Sequence, residues 1–93
     1  YKRVEGIGER YIADVARRVK LTRPLKVIAA CGNGTAGAFA PEALRRMGAE
    51  VIELHCALDW TFPNYNANPE DAEMLHDMAH AVKAHGADVA LGF

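Results

Sequence analysis

The sequence predicts an α/β fold, with helices on both faces of a mainly parallel sheet in a three-layer α/β/α arrangement. Helical and strand patterns alternate along the chain as helix, strand, helix, strand, helix, strand. The strand patterns are short apolar runs, which are typical of strands covered on both faces. With 93 residues, 51% of them hydrophobic, the chain is long enough for one small core and too short for two. Residues 1–93 are therefore predicted to form a single domain.

The first helix is predicted over residues 9–20, and Pro24 is expected to end it. Its apolar stripe consists of Tyr11, Ile12, Val15, Ala16 and Val19. The apolar run over residues 25–30 is the first strand, and the stretch CGNGTAG follows it. The next helix is predicted to begin late, near residues 38–41, because Pro41 disrupts the interior of a longer helix. Its apolar face consists of Phe39, Ala43, Leu44 and Met47.

Gly48 is expected to end the second helix as a left-handed cap, and residues 51–54 form the second strand. Residues 57–69, ALDWTFPNYNANP, have no sustained period and are predicted to be a long, functional loop. Asn68 is expected to cap the third helix, with Pro69 at its first position and Asp71 in its first turn. The buried face of this helix is predicted to be Ala72, Leu75, Ala79 and Val82. Gly86 ends the helix, and residues 88–93 form the third strand.

Charge and composition narrow the classes of partner. The formal net charge is −1, and acidic and basic residues are interspersed. Nucleic acid and membrane surfaces are therefore disfavoured, and a small polar metabolite is the expected ligand. No apolar run is long enough to span a membrane, which predicts a soluble cytoplasmic protein. Cys31 and Cys56 lack the spacing of a disulfide framework and are expected to be buried free thiols.

Glycines 32, 34 and 37 have the G-x-G-x-x-G spacing of a dinucleotide-binding turn, and Glu53 stands where a ribose-binding acid would. Pro41 argues against an NAD site, because a dinucleotide-binding helix would begin about two turns earlier. In the alternative interpretation the stretch is a tight turn with positive φ at Gly32 and Gly34 and with Asn33 in the left-handed region between them. Gly37 then belongs to the turn or the first helical turn and does not mark a close helix-to-strand contact. Free amide groups at this turn could also face an anion.

The histidines and asparagines provide weaker evidence for a functional site than the glycine-rich turn does. His76 and His80 imitate the H-E-x-x-H zinc motif, but Asp77 replaces the glutamate and no third ligand stands out, so a solvated helix flank is favoured. His55 beside Cys56 is a neighbouring pair of the kind that is usually not a metal site. The asparagines of the long loop either bond their own backbone or reach a sugar or another loop.

Three stretches together resemble a known family. They are KVIAACGNGTAGAFAPEALRRMGAEVIEL, DWTFPNYNANPED and HGADVALGF. In order and spacing they are similar to the second domain of the α-D-phosphohexomutases, in particular the bacterial phosphomannomutase/phosphoglucomutase branch. The resemblance covers nearly the whole chain. It explains the glycine-rich turn without a nicotinamide cofactor.

The resemblance implies a four-domain enzyme that moves a phosphoryl group between positions 1 and 6 of a hexose, through a phosphoserine and a bisphosphate intermediate. It also implies a Mg²⁺ ion, held by a D-G-D-x-D-R loop expected directly after Phe93. The chain would then be cut before the last strand of its sheet. No catalytic residue or metal ligand is expected in residues 1–93, and the isolated chain is predicted to be inactive.

The resemblance carries over two sets of residues, expected to shape the active-site edge or to dock the other three domains. They are Cys31, Gly32, Asn33, Gly34 and Thr35 of the turn, and Phe62, Asn64 and Asn66 of the loop. Three positions depart from the family pattern: Ala30 (commonly Asp), Trp60 (commonly Gly) and Ala67 (commonly Pro). Two alternatives stay open, an NAD-binding half-domain of an oxidoreductase and a non-catalytic α/β docking module.

Overall fold

A computed structural model describes residues 1–93 as alternating helices and strands. In chain order these are α1 (Ile7–Arg18), β1 (Lys26–Ala30), a short 3₁₀ helix (Thr35–Ala38), α2 (Ala40–Arg46), β2 (Glu50–Leu54), α3 (Ala72–His85) and β3 (Val89–Gly92). The strands form one sheet in the order β2-β1-β3, and both pairings are parallel. The predicted α/β class is confirmed. None of the helices has the length and apolarity needed to cross a membrane.

The buried residues lie on both faces of the sheet, because β1 is central and its successive side chains point to opposite sides. On one face Ala29, Cys31 and Cys56 pack with residues of the 3₁₀ helix and α2. On the other face Ala30 packs with Met74 and Met78 of α3. Helix α1 lies against α2, where the rings of Tyr11 and Phe39 meet edge to face at 5.9 Å. The elements therefore form three layers.

Helix α1 is shifted toward the N-terminus relative to its predicted range. It begins after Gly6, whose φ is +71°, and ends at Arg18, because Val19 is extended. The prediction that Pro24 ends this helix was wrong. The early end lets the connection turn toward α2, where the amide of Leu21 donates to the carbonyl of Met47 (3.3 Å). Of the predicted stripe only Ile12 is buried.

Helix α3 begins later than predicted. Its N-cap is Asp71, whose carboxylate accepts a hydrogen bond from the amide of Glu73 (2.9 Å). Asn68, the predicted cap, accepts from the amide of Glu70 (3.1 Å), and its carbonyl accepts from the amide of Asp71 (2.9 Å). These bonds close a separate turn over residues 68–71. Both residues have the chemistry of a cap, and only the second directly precedes the helix.

The buried face of α3 also differs from the prediction. Met74, Met78 and Ala81 are buried, whereas Leu75 is 47% exposed and Ala72, Ala79 and Val82 are exposed or half-buried. The sheet presents small residues to this helix, Ala30 and Gly92, and a Cβ on Gly92 would lie 3.1 Å from the sulfur of Met78. Long unbranched methionine side chains fill the depth that such small residues leave.

Helix α2 has the predicted boundaries. It starts at Ala40 with Pro41 in its first turn, after the short 3₁₀ helix, and Gly48 follows its end with a φ of +103°. The second strand also lies where it was predicted, and residues 57–69 contain no helix or strand. These elements place the turn after β1 and the loop after β2 at one edge of the sheet.

Candidate functional site

The candidate site lies at the carboxyl ends of β1 and β2, where parallel sheets usually bind ligands. Two segments build it: the glycine-rich turn, residues 31–35, and the second loop, residues 57–69. All eight predicted site residues lie in these two segments. The amide of Asp59 in the second loop donates to the carbonyl of Asn33 (3.0 Å), and the amide of Asn33 donates to the carbonyl of His55, which directly follows β2 (2.7 Å).

The glycine-rich turn has two successive residues in the left-handed region. They are Gly32 (φ +51°) and Asn33 (φ +63°), whereas Gly34 has a φ of −83°. The prediction of a positive φ at Gly34 was therefore wrong. Asn33 takes the second left-handed position, which asparagine tolerates better than most residues. The amide of Gly34 closes the turn on the carbonyl of Cys31 (2.8 Å).

The missing side chains of Gly32 and Gly34 make room for the second loop. A Cβ on Gly32 would lie 2.9 Å from the Cα of Ala67, and one on Gly34 would lie 3.2 Å from the Cβ of Ala67. The chain itself therefore occupies this side of the turn. Glu53, the ribose-binding acid of the dinucleotide hypothesis, is paired with Arg45 at 2.8 Å. This geometry disfavours an NAD site, because the glycines serve a contact between two loops.

Gly37 marks a close backbone contact, contrary to the prediction. A Cβ at this position would lie 2.0 Å from the carbonyl oxygen of Cys56. The 3₁₀ helix thus packs directly on the backbone that follows β2. A start of α2 near Pro41 was correct, but the segment before it is as tightly packed as a dinucleotide-binding helix would be at its third glycine.

Side-chain hydrogen bonds connect the two segments in one continuous chain. The Asn33 Nδ2 group donates to the carbonyl of Ala57 (2.9 Å), and the Asn64 Nδ2 group donates to Asn33 Oδ1 (2.9 Å). Asn64 Nδ2 also lies 3.0 Å from His55 Nδ1, and His55 Nε2 lies 2.9 Å from Asp77 Oδ2. Asn33 is 7% exposed, so its amide depends on these partners.

This chain of bonds fixes the His55 tautomer. The carbonyl of Ala57 can only accept, so the Asn33 amide nitrogen faces it and its oxygen faces Asn64. The Asn64 NH₂ group then has one hydrogen for Asn33 and one for His55 Nδ1. His55 Nδ1 accepts, and its Nε2–H donates to the Asp77 carboxylate. A carbonyl of the second loop therefore orients an imidazole at the end of β2.

Tyr65 completes the polar network on the other side of Asp77. Its hydroxyl donates to Asp77 Oδ2 (3.0 Å), and its ring meets the His55 imidazole edge to face at 5.6 Å. Burial and the neighbouring Asp77 carboxylate raise the pKa of Tyr65 above its ordinary value. The hydroxyl therefore remains a hydrogen-bond donor at neutral pH, and α3 is bonded to both the loop and β2.

Sequence reasoning did not assign His55, Tyr65 and Asp77 to one network. In the sequence Asp77 stands at the glutamate position of the zinc-motif likeness, whose two histidines, His76 and His80, are exposed on α3. The available signal was topological: a crossover helix begins at the carboxyl edge of a parallel sheet, so polar residues of its first turns can face the loops there. Asp77 is such a residue.

Three predicted site residues face outward. Thr35 and Asn66 are exposed, and Phe62 is 40% exposed with a φ of +48°. The local turn that presents Phe62 is held by Asp59, whose carboxylate accepts from the amide and hydroxyl of Thr61 (3.0 and 2.7 Å). The outward side chains leave functional groups available to a ligand or a neighbouring domain.

The two cysteines lie beneath the same edge, and both are buried, as predicted. Their sulfur atoms are 3.3 Å apart, and Cys56 Sγ lies 3.1 Å from the carbonyl oxygen of Ala29. Burial, together with the neighbouring Cys56, raises the pKa of Cys31 to about 12. At neutral pH Cys31 is therefore a protonated thiol in the core.

The acidic, histidine and cysteine side chains of residues 1–93 do not fit the Mg²⁺ ion that the resemblance implies. No group of three or more of them is placed to hold a metal ion.

Fold and site together define an α/β/α domain whose two carboxyl-edge loops are bonded to each other and to the following helix. A family model for phosphoglucomutase/phosphomannomutase, alpha/beta/alpha domain II, matches residues 9–93. The chain belongs to this family.

Similar proteins have consistent names. A phosphomannomutase/phosphoglucomutase of Pseudomonas putida is 44% identical over 87 residues, which are 94% of this chain and 19% of the relative. A phosphoglucomutase of Neisseria meningitidis is 38% identical with the same two coverages. A crystal structure of a phosphoglucomutase/phosphomannomutase family protein from Burkholderia thailandensis has a TM-score of 0.88 at 34% identity, and the match covers 94% of this chain and 19% of that protein. The chain thus spans about a fifth of the length of these relatives.

Proposed function

We propose that residues 1–93 are the second domain of a four-domain phosphohexomutase. The whole enzyme would interconvert hexose 1-phosphates and hexose 6-phosphates through a phosphoserine and a bisphosphate intermediate. The family match over residues 9–93 supports this proposal, as do the names of relatives that include phosphomannomutases and phosphoglucomutases. We assign the enzyme to the cytoplasm, with hexose phosphates and the other three domains as partners and with neither nucleic acid nor membrane among them.

The observation that carries a role for this chain is the bond between Asn64 and Asn33. It joins the two motifs of the resemblance, CGNG and FPN-x-N, which are about thirty residues apart in the sequence. The bonded pair holds the second loop against the glycine-rich turn, and the outward residues Thr35, Phe62 and Asn66 then line the edge. We assign these three to contacts with the hexose phosphate or with a neighbouring domain. The buried Cys31, Gly32 and Asn33, the half-buried Gly34 and the bridging Asn64 keep that edge in place.

The cofactor we propose for the whole enzyme is Mg²⁺, which supplies positive charge to a phosphoryl group in transfer. Its ligands are assigned to a D-G-D-x-D-R segment after Phe93, and no residue of this chain is assigned to it. The coding sequence that follows Phe93 tests this assignment directly. An unrelated segment there would contradict it.

The activity is tested with the full polypeptide that carries this chain. It is supplied with mannose 1-phosphate or glucose 1-phosphate, and the 6-phosphate product is measured. We expect conversion by the full polypeptide and none by residues 1–93 alone. Asn66→Ala should lower kcat/KM about tenfold, as for loss of one polar contact in the transition state. Leu75→Ala, on the outer face of α3, is the matched control and should leave kcat/KM unchanged. Absence of conversion of any hexose phosphate would contradict the function, and equal kcat/KM for the two variants would contradict the role of Asn66 alone.

A further inference from the structure

We propose that Cys31 and Cys56 are a modification site, at which a hydroperoxide oxidises the two thiols to a reversible disulfide. The inference rests on the geometry of the pair and is independent of the proposed function. Neither cysteine was expected to pair, because their sequence spacing shows no disulfide pattern.

The two thiols meet because they follow neighbouring parallel strands. Cys31 comes directly after β1, and its amide donates to the carbonyl of Leu54 at the end of β2 (3.1 Å). The sulfurs are 3.3 Å apart. A disulfide bond is about 2.05 Å long, so the sulfurs must approach by roughly 1.3 Å. The Gly37 contact holds the backbone of Cys56, so side-chain rotation supplies this movement.

The difference in burial between the two cysteines determines which thiol reacts first. Cys56 is 8% exposed and Cys31 is 0% exposed, so the hydroperoxide reaches Cys56 first. The Cys56 sulfur attacks one peroxide oxygen. A sulfur–oxygen bond forms, the oxygen–oxygen bond breaks, and the leaving oxygen takes the thiol proton to depart as water or an alcohol. The product at Cys56 is a sulfenic acid.

Cys31 then resolves the sulfenic acid. Its sulfur attacks the Cys56 sulfur, the sulfur–sulfur bond forms, and the hydroxyl leaves with the Cys31 proton as a second water. The two thiols lose two protons and two electrons, and the peroxide gains them. The desolvation that keeps Cys31 protonated makes it the weaker first nucleophile, and its distance from Cys56 makes it the nearest second one.

The modification would act on the candidate site. Cys31 is the first residue of the glycine-rich turn, and Cys56 directly precedes the second loop. A covalent bond between them ties the two segments at their bases. It also removes the thiol that donates toward the carbonyl of Ala29.

The test oxidises the folded full polypeptide with hydrogen peroxide and digests it with trypsin in the absence of reductant. Cleavage after Lys26, Arg45, Arg46 and Lys83 places the cysteines in separate peptides, residues 27–45 and 47–83. We expect one species with the summed mass of both peptides less two hydrogen atoms. Treatment with a dithiol reductant should return the two separate peptides.

Two single variants and a denatured sample are the controls. Cys31→Ser and Cys56→Ser should each abolish the linked species, and far-ultraviolet circular dichroism reports whether they fold. The linked peptides of the wild-type protein test the proposal even if neither variant folds. Unlinked cysteines in the folded protein, whether unmodified or converted to sulfinic acid, would overturn the proposal. So would a link that forms faster in urea than in the folded protein, because the folded geometry would then not be its cause.

Discussion

At the scale of single residues, the candidate site depends on groups that fix one another. The carbonyl of Ala57 orients Asn33, Asn33 orients Asn64, and Asn64 orients the His55 imidazole toward Asp77. Loss of one member leaves the next with an unsatisfied polar atom, which costs more than the bond itself contributes. The network is therefore sensitive at each position, even though several of its side chains are partly exposed.

Asn64→Ala should lower the free energy of unfolding by about 1–2 kcal/mol, because Asn33 Oδ1 and His55 Nδ1 both lose their donor. Asn66→Ala is the matched control, since this exposed side chain makes no hydrogen bond within the chain, and its effect should stay within about 0.5 kcal/mol. Urea unfolding of the three proteins measures the difference. Equal stability of the two variants would contradict the stabilising role of the hydrogen bonds that Asn64 donates.

Because the Cys31 thiol is buried, we expect the protein to lose stability at alkaline pH. Its folded-state pKa is about 12, above the ordinary value of 9.0. The protonated thiol therefore contributes its full stabilisation below about pH 9, and that contribution is lost as the pH rises toward 12. Under reducing conditions the wild type should lose more stability between about pH 8 and about pH 10 than Cys31→Ala. Parallel pH profiles of the two proteins would refute the prediction.

At the scale of elements, the sequence predicts a boundary correctly where residues next to that boundary determine it. The continuous apolar run gave β1, Pro41 gave the late start of α2, and Gly48 gave its end. Neither the cap nor the buried face of α3 follows from such signals. Asn68 and Asp71 are both good caps, and α3 is apolar on more than one side. The choice depends on the small residues Ala30 and Gly92, which the sheet brings beneath the helix from distant parts of the sequence.

The same distinction holds for the site. Its eight predicted residues belong to two motifs that are visible in the sequence, and both motifs lie at the predicted edge. His55, Tyr65 and Asp77 were not predicted as a network, because Asp77 lies 22 and 12 residues from its partners. No periodic pattern connects side chains at such separations, and only the packing of α3 on the sheet brings them together.

Met74→Ala tests which face of α3 is buried. Met74 is 0% exposed, and its truncation should cost about 2–4 kcal/mol through lost burial and a residual cavity. Leu75→Ala, one position along the same helix, should cost less than about 1 kcal/mol because the side chain is half exposed. Thermal unfolding compares the two. A larger loss for Leu75→Ala would restore the face predicted from the sequence.

Gly37→Ala tests the contact between the 3₁₀ helix and the chain after β2. The added Cβ would lie 2.0 Å from the Cys56 carbonyl oxygen, so backbone must move, at a cost of at least about 2 kcal/mol. Gly8→Ala is the control, because its Cβ would lie 3.4 Å from the Phe39 ring in a helix that favours alanine. Denaturant midpoints should fall for the first variant only. An unchanged midpoint for Gly37→Ala would rule out the contact.

At the scale of the whole molecule, the core is small for the length of the chain. Fifteen of 93 residues are buried, and Val89, Leu91 and Phe93 are between 37% and 40% exposed. The sheet has three strands, and β2 and β3 each have one unpaired edge. Unpaired edges and exposed apolar side chains are features that a further strand or domain would cover.

Residues 1–93 alone should therefore be less stable than the same residues within the full polypeptide. Amide hydrogen exchange of β3 is the sensitive measurement, because its outer edge is unpaired. We expect faster exchange in the isolated chain at β3 than at β1, which is paired on both sides. Equal protection of β3 in the isolated chain and the full polypeptide would contradict the prediction.

The strand order has a consequence for synthesis on the ribosome. Of these three strands the central strand β1 is made first and its second neighbour β3 is made last. The backbone amide of Lys26 donates to the carboxylate of Asp88, 62 residues further along the chain, so this bond forms only after β2 has been made. A nascent chain can pair β1 with β2 early, but one side of the most apolar strand stays open until β3 leaves the exit tunnel. The half-finished sheet, in which β1 is paired on one side only, is therefore the form that a chaperone would meet during synthesis.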